Sequence, residues 1–254
     1  MKLRVPCMQC FQEQGHPSDE LMSVELRDDG LLNITCQNGH ATVTAIQEQK
    51  YELLFELAVM ALLDGYPREA ATGMAASLER FYEFAIRTLC AKRGIDDSAF
   101  IAAWKLVANQ SERQFGVFIF AYMLEAGTPP PTIDEAKPTH IAGQDWKNRP
   151  WKEFRNSVVH KGYMPSVSEA MAYGELVFNH IKELTIWLSE NCSEALNKVA
   201  FSRVAVAHNE AAGRLISTMS IPTLLSRTRE GFPARTFMQA VEELKQYKPR
   251  MHHP

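Results

Sequence analysis

The spacing of apolar residues in this 254-residue chain changes near Thr44. Beyond that point, apolar residues recur with the 3.6-residue period of amphipathic α-helices. The first apolar stripe is broken by Gly65-Tyr66-Pro67, and the second is ended by Gly94, which suits a glycine following a helix. The two stripes consist of Tyr51, Leu54, Phe55, Ala58, Val59 and Leu62, and of Met74, Leu78, Phe81, Tyr82, Ala85 and Leu89. The pattern predicts two successive helices.

Further helices are predicted on both sides of one long loop. Residues 128–144 are rich in proline and lack helical spacing, so they form either a functional loop or a linker. A capping-box pattern at residues 166–169 begins another apolar stripe, which extends to Leu188. The other predicted helices lie near residues 100–124, 151–161, 194–212 and 234–247.

The first 45 residues carry shorter apolar patterns around Asp29-Gly30, a strong signal for a hairpin turn. The flanking apolar residues are Val24, Leu26, Leu31 and Ile34. We therefore predict a mainly α protein in which a small β-hairpin module, residues 1–45, precedes a helical bundle, residues 46–191. Residues 192–254 are predicted to form a C-terminal helical extension.

The hairpin module also contains a candidate metal site. Cys7 and Cys10 form a CxxC pair, and Cys36 and His40 form a CxxxH pair. Three thiolates and one imidazole satisfy the tetrahedral preference of zinc, so we predict a structural zinc site in a zinc-ribbon-like or treble-clef-like module. A module this small buries too little apolar surface to fold easily without such a metal. His16 is a competing fourth ligand, although its spacing from Cys10 fits no common zinc knuckle.

The amino-acid composition indicates an ordinary globular protein. A hydrophobic share of 46% and a charged share of 22% are ordinary for a globular protein. No apolar run approaches the roughly 18 residues of a membrane span, and the N-terminus lacks the apolar core of a secretory signal. With five cysteines, an odd number, we expect a reduced, cytoplasmic protein rather than a disulfide framework. The net charge of −3 means that any nucleic acid must bind a local patch.

Helical geometry separates the polar residues of the predicted helix 151–161 from its core. With Trp151 at 0°, Phe154 and Val158 lie at about 300° and 340°, and Arg155 lies at about 40°, on the edge of the buried stripe. Asn156 and His160 lie at about 140° and 180° and share one face, being four residues apart. We expect His160 to point to solvent or to a partner surface.

The same segment is rich in positive charge. Glu153 is the only acidic residue between positions 146 and 161, and the interleaved Trp146 and Trp151 suggest base stacking on single-stranded nucleic acid. The predicted RNA-binding residues are Lys147, Arg149, Lys152, Lys161 and Trp151. Arg155 has a permanently charged group that can hold a phosphate through paired donors, and His160 can transfer protons near neutral pH.

Residues 155–160, Arg-Asn-Ser-Val-Val-His, resemble the Arg-x4-His signature of the HEPN (higher eukaryotes and prokaryotes nucleotide-binding) domain family. The setting is similar too, since AATGMAASLERFYEFAIRTL precedes the motif and HKGYMPSVSEAMAYGELVFNHI follows it. The resemblance covers roughly residues 47–191 and implies a HEPN-like helical bundle.

The resemblance implies a metal-independent endoribonuclease that acts as a homodimer, with the 2′-OH as nucleophile and a 2′,3′-cyclic phosphate as product. His160 would be the general acid or base, Arg155 would stabilise the phosphate charge, and Asn156 would orient His160 or bind the phosphate. An acidic residue on an earlier helix is also implied. Glu79 fits best because it lies about 100° from Leu78, beside the core stripe, and Glu83 is second. Family members often act as toxins or in antiviral defence, which implies an inhibitor or antitoxin as a possible partner.

Two other functions are compatible with the sequence. The net acidity and the lack of a second obvious catalytic constellation fit a non-catalytic module that binds RNA or protein. Zinc-dependent catalysis fits poorly, because four protein ligands would leave no open position on the metal.

Overall fold

A computed structural model of the chain describes residues 2–16, 21–138, 146, 148–211 and 213–251. The helices are α1 (Met8–Gln14), α2 (Lys50–Leu63), α3 (Pro67–Lys92), α4 (Asp97–Trp104), α5 (Ser111–Ala126), α6 (Trp151–His160), α7 (Val167–Asn191), α8 (Ser193–Ala200), α9 (Ser202–Glu210) and α10 (Phe237–Met251). The strands are β1 (Lys2–Pro6), β2 (Leu21–Glu25), β3 (Leu31–Thr35), β4 (Ala41–Ile46) and β5 (Leu215–Met219). The prediction of a mainly α protein with a small N-terminal β-hairpin is confirmed. Within the described residues, no helix combines the length and the apolar character needed to cross a lipid bilayer.

The chain divides into two compact units. The small unit contains Met1–Glu48 together with Ala200–Pro222, and the helical unit contains Gln49–Val199 together with Thr223–Lys248. Residues of the predicted C-terminal extension thus belong to both units.

The small unit contains two sheets. Strands β1 and β2 pair antiparallel, whereas the second sheet has the order β3-β4-β5. Strand β4 is antiparallel to β3 and parallel to β5, with Val43 opposite both Asn33 and Ile216. Helix α9 packs on this sheet, where Ala207 and Ala211 join a buried cluster with Leu31.

The position of the predicted hairpin turn was wrong. A turn does form at Asp29-Gly30, but the strands it connects, β2 and β3, belong to different sheets. The hairpin of the second sheet is β3–β4, and its turn lies at Cys36–His40, where the Cys36 amide donates to the His40 carbonyl over 3.1 Å. Thr44 lies in β4, so the helical pattern begins only after this strand.

The helical unit is built around α3 and α7. Helices α2 and α3 approach so closely that a Cβ atom on Gly73 would lie 2.9 Å from the Ala58 Cβ. Aromatic side chains fill the space between the other helices, with Phe55, Phe178 and Phe237 in mutual ring contact.

Several helix ends lie where the sequence places them. Helix α2 ends at Leu63 and α3 begins at Pro67, on either side of the predicted break. Gly94 has a φ of 76° directly after the end of α3, as expected for a glycine that ends a helix. At α7, Ser166 and Glu169 form the predicted capping box.

The loop before α6 supplies hydrogen-bond acceptors to the start of that helix. Of the predicted loop 128–144, residues 128–138 contain no helix or strand, and residues 139–144 lie outside the described part of the chain. The Trp151 amide donates to the Ala136 carbonyl and the Lys152 amide donates to the Asp134 carbonyl, both over 3.0 Å. These bonds occupy two backbone donors that a helix otherwise leaves open at its N-terminus.

Candidate functional site

Helix α6 presents the motif residues as its geometry predicts. Its buried residues are Trp151, Phe154, Ser157 and Val158, which face the core of the helical unit. His160 is exposed, and Arg155 and Asn156 are half-buried. The three polar residues therefore lie at the border between core and solvent, where a ligand has access to them.

The Arg155 guanidinium is held by its neighbours on two sides. Its Nε and Nη2 atoms donate to Oδ1 of Asn156 over 3.2 and 3.1 Å. Nη2 also lies 3.9 Å from Oε1 of Glu112, on the first turn of α5. Only 15% of the Arg155 side chain is exposed, so the charge is largely enclosed by protein.

Glu79, on α3, belongs to the same cluster. Burial raises the pKa of the Glu79 carboxyl, and the positive charges of Arg155, Arg80 and His160 oppose that rise. The structure thus brings Glu79 into the electrostatic reach of both Arg155 and His160. Glu83, the second candidate, forms an ion pair with Arg80 instead.

A second half-buried carboxyl, Asp134, lies in the loop before α6. Burial raises its pKa, and the charges of Arg155 and Lys152 oppose the rise. Tyr82 and Tyr173 also interact with Arg155 and Asp134, and burial raises the pKa of both phenols. Arg155 therefore lies within electrostatic reach of three carboxylates, Glu79, Glu112 and Asp134.

Sequence reasoning missed Glu112 and Asp134 as members of this cluster. Asp134 had one indirect signal, because its loop is long for a compact domain and long loops are often functional. Glu112 had none, since an exposed glutamate on the first turn of a helix is common and favourable in itself. Helices α5 and α6 both pack on α3, and this arrangement brings Glu112 to Arg155.

The predicted RNA-binding residues have different positions. Arg149, Lys152 and Lys161 are exposed, as a phosphate-binding role requires. The Arg149 guanidinium lies 3.9 Å from the centre of the Trp146 ring, and it also pairs with Glu153 over 3.2 Å. Lys147 lies outside the described residues.

The expected stacking role of Trp151 is corrected by its position. Its side chain is buried, and its ring packs against Phe154 and Tyr173 at centroid distances of 5.2 and 5.5 Å. Trp146 is buried as well. Neither ring is open to a base, so both tryptophans act as core residues of the helical unit.

The small unit brings the four predicted metal ligands together. The ligand atoms of Cys7, Cys10, Cys36 and His40 all lie within 4.8 Å of one another, and they form the one such cluster among the described residues. The Cys10 and Cys36 sulfurs are 3.8 Å apart, and Nδ1 of His40 lies 3.8 Å from the Cys7 sulfur and 3.3 Å from the Cys10 sulfur. Such a group is able to hold a metal ion.

Local backbone geometry accounts for this convergence. Cys7 directly precedes α1 and Cys10 lies in its first turn, so the two thiols lie close together. Cys36 and His40 enclose the β3–β4 turn, in which Gly39 has a φ of 80° and donates to the Cys36 carbonyl over 3.0 Å. A residue with a side chain is strained at that φ, so the glycine suits the turn.

Two further polar groups surround the cluster. Nε2 of His40 lies 3.4 Å from Oε1 of Glu13, so Nδ1 is the imidazole nitrogen that faces the sulfurs. The Asn38 amide donates to the Cys10 sulfur over 3.3 Å. His16, the competing ligand, is exposed and is not a member of the cluster.

Comparison of the chain with protein-family models, with curated proteins and with solved structures gives no match. The HEPN resemblance therefore stays a prediction, carried by the motif and by its helical setting.

Proposed function

We propose that the protein is a metal-independent endoribonuclease whose active site combines Arg155 and His160 from two copies of the chain. The observation that carries this proposal is the placement of an exposed imidazole and a half-buried guanidinium on one helix, both within electrostatic reach of the half-buried carboxyl of Glu79. RNA is the proposed partner, together with a second copy of the chain.

The proposed reaction needs one base, one acid and a stabiliser of negative charge. The base removes the proton of a ribose 2′-OH, whose oxygen attacks the adjacent phosphorus atom. The bond from phosphorus to the 5′ oxygen breaks, the acid protonates that oxygen, and a 2′,3′-cyclic phosphate remains. Two His160 side chains in a dimer supply the base and the acid, a contribution of typically about 10²–10⁴-fold in rate. Arg155 stabilises the charge on the non-bridging oxygens.

The remaining motif residues assist in this scheme. Asn156 accepts from both Nε and Nη2 of Arg155 and so fixes the plane of the guanidinium. Glu79 places a carboxyl within electrostatic reach of His160. Exposed Arg149, Lys152 and Lys161 would attract the RNA backbone.

The test is cleavage of RNA by the purified protein in EDTA, with the fragment ends analysed for cyclic phosphate. His160→Ala should abolish cleavage, whereas His208→Ala, an exposed histidine in the small unit, should not. Equal activity of wild type and His160→Ala, purified in parallel, would reject the mechanism. The zinc content of each sample is measured after the incubation, so that loss of a structural metal is not mistaken for a catalytic effect.

We further propose that Cys7, Cys10, Cys36 and His40 hold a structural zinc ion. Zinc at about 2.3 Å from sulfur and about 2.0 Å from nitrogen in a tetrahedron places two sulfurs about 3.8 Å apart, and a sulfur and a nitrogen about 3.5 Å apart. The observed separations of 3.8, 3.8 and 3.3 Å fit that geometry. The ion would tie α1 to the β3–β4 turn. One equivalent of zinc in the wild type, and its loss in Cys36→Ser, is the expected result.

A non-catalytic RNA-binding module is the second candidate. It is favoured by the enclosure of Arg155 among carboxylates, an arrangement that also suits a purely structural arginine. Tight RNA binding without turnover, across several RNAs and buffers, would identify this function.

A further inference from the structure

The two side chains of the Glu112–Arg155 pair differ in their exposure to solvent. The Glu112 side chain is 70% exposed, whereas that of Arg155 is 15% exposed. The other two carboxylates near Arg155, Glu79 and Asp134, are half-buried. Glu112 is therefore the most exposed carboxylate near Arg155, and the one that a large ligand arriving from solvent reaches most readily.

The charged form of the Glu112 carboxyl is also stabilised by groups other than Arg155. It lies in the first turn of α5, where the helix dipole favours a negative charge. Its own backbone N–H lowers the pKa of the carboxyl, with a smaller contribution from the Ser111 hydroxyl, which donates to Oε2 over 3.3 Å. Displacement of Glu112 from Arg155 therefore leaves the carboxylate in a favourable position.

Carboxylate and phosphate oxygens accept the same donors of a guanidinium. We propose that Glu112 competes with the RNA phosphate for Arg155, and that RNA must displace it to occupy the site. This inference rests on the proposed function, since it takes the phosphodiester of RNA as the ligand of Arg155. Glu112 thereby lowers the affinity of the site for RNA and limits binding to ligands that offer further contacts along the cationic surface of α6.

The test measures RNA affinity in proteins that cannot cleave. Each protein carries His160→Ala, and the probe is a fluorescently labelled single-stranded RNA whose anisotropy is followed. Glu112→Gln is compared with Glu194→Gln, which removes the same charge from an exposed glutamate in the first turn of α8. Glu112→Gln should lower the Kd about two- to fivefold further than Glu194→Gln, the scale of an exposed ion pair. An equal or weaker effect would overturn the proposal.

A second readout needs no RNA. Phenylglyoxal modifies accessible arginines, and peptide mass spectrometry reports the modification of Arg155 itself. Inorganic phosphate should protect Arg155 at a lower concentration in Glu112→Gln than in the wild type or in Glu194→Gln. If the protein binds no RNA at all, the proposed function fails while this assay still decides whether Glu112 competes with phosphate. Protection at the same phosphate concentration in all three proteins would refute the competition.

Discussion

The Tyr82 hydroxyl lies 3.0 Å from Nε2 of His180, joining α3 to α7 inside the helical unit. His180 is only 3% exposed, and burial lowers its pKa to about 4. The imidazole is therefore neutral in the folded protein at neutral pH. Charging it would place a cation in the core beside an aromatic ring.

This pair makes the stability of the protein dependent on pH. The pKa of His180 is about 6.5 in the unfolded chain and lower in the folded one, so the unfolded state binds more protons between these values. The free energy of unfolding should fall as the pH drops from about 6.5 towards 4, by about 3 kcal/mol in total for this group. Urea unfolding at a series of pH values measures this loss.

His180→Gln is the control, because an amide accepts from Tyr82 but does not titrate. Glu79 and Asp134 act in the opposite direction, since their raised pKa values favour the folded state as pH falls. The difference in stability between the wild type and His180→Gln therefore isolates the histidine. A difference that stays constant between pH 7 and 4.5 would contradict the assignment.

Replacing either of two helical glycines by alanine should change the stability of the protein, in opposite directions at the two positions. At Gly73 a Cβ would lie 2.9 Å from that of Ala58, so Gly73→Ala should destabilise the helical unit by about 1–2 kcal/mol. At Gly116, on α5, nothing lies within 4 Å, so Gly116→Ala should stabilise by about 0.5–1 kcal/mol through helix propensity. Thermal unfolding of both variants provides the comparison. A loss of stability in both variants would contradict this explanation, which rests on the space available to the new Cβ atom.

Arg155 should not tolerate lysine if it binds the phosphate through paired donors. Arg155→Lys keeps the charge but loses the planar fork, and we expect RNA cleavage to slow by about 10²–10³-fold. Arg149→Lys, an exposed position, should change the rate by less than about threefold because attraction by charge alone survives. Single-turnover rates at saturating protein report the effect. Equal losses in both variants would indicate general charge attraction only.

The Glu13–His40 contact should tune zinc affinity. A carboxylate that accepts from a ligating imidazole typically contributes about 10–100-fold to metal affinity. Glu13→Gln should weaken zinc binding by about tenfold, the lower end of that range, because its side chain is 54% exposed. Competition with a chromophoric chelator gives the affinity, and Glu25→Gln on β2 is the matched control. Unchanged affinity would show that Glu13 does not orient the ligand.

The helices could be predicted from the sequence because the features that specify them are local. The apolar period, the proline at the start of α3 and the capping box of α7 each act within a few residues. The metal ligands were readable for a similar reason, since each pair is fixed by one short turn. The outward position of His160 followed from helical geometry alone.

What the sequence could not show depends on distant parts of the chain. Strand β5 pairs with β4 across more than 170 residues, and Thr44 and Ser217 are in hydrogen-bond contact. No local sequence pattern predicts this pairing. The Glu112–Arg155 pair likewise requires α5 and α6 to pack on α3. Trp151 was misjudged because a tryptophan among cations suits base stacking and core packing equally well, and only burial distinguishes the two.

The parallel pairing of β4 with β5 sets an order of events during translation. Strand β4 leaves the ribosome first, followed by the whole of Gln49–Val199, before its neighbour at Leu215–Met219 exists. At about 5–20 residues per second, that delay is about 8–35 s. Cys7, Cys10, Cys36 and His40 are all synthesised before it begins, so metal binding would stabilise the nascent N-terminal segment until β5 is made.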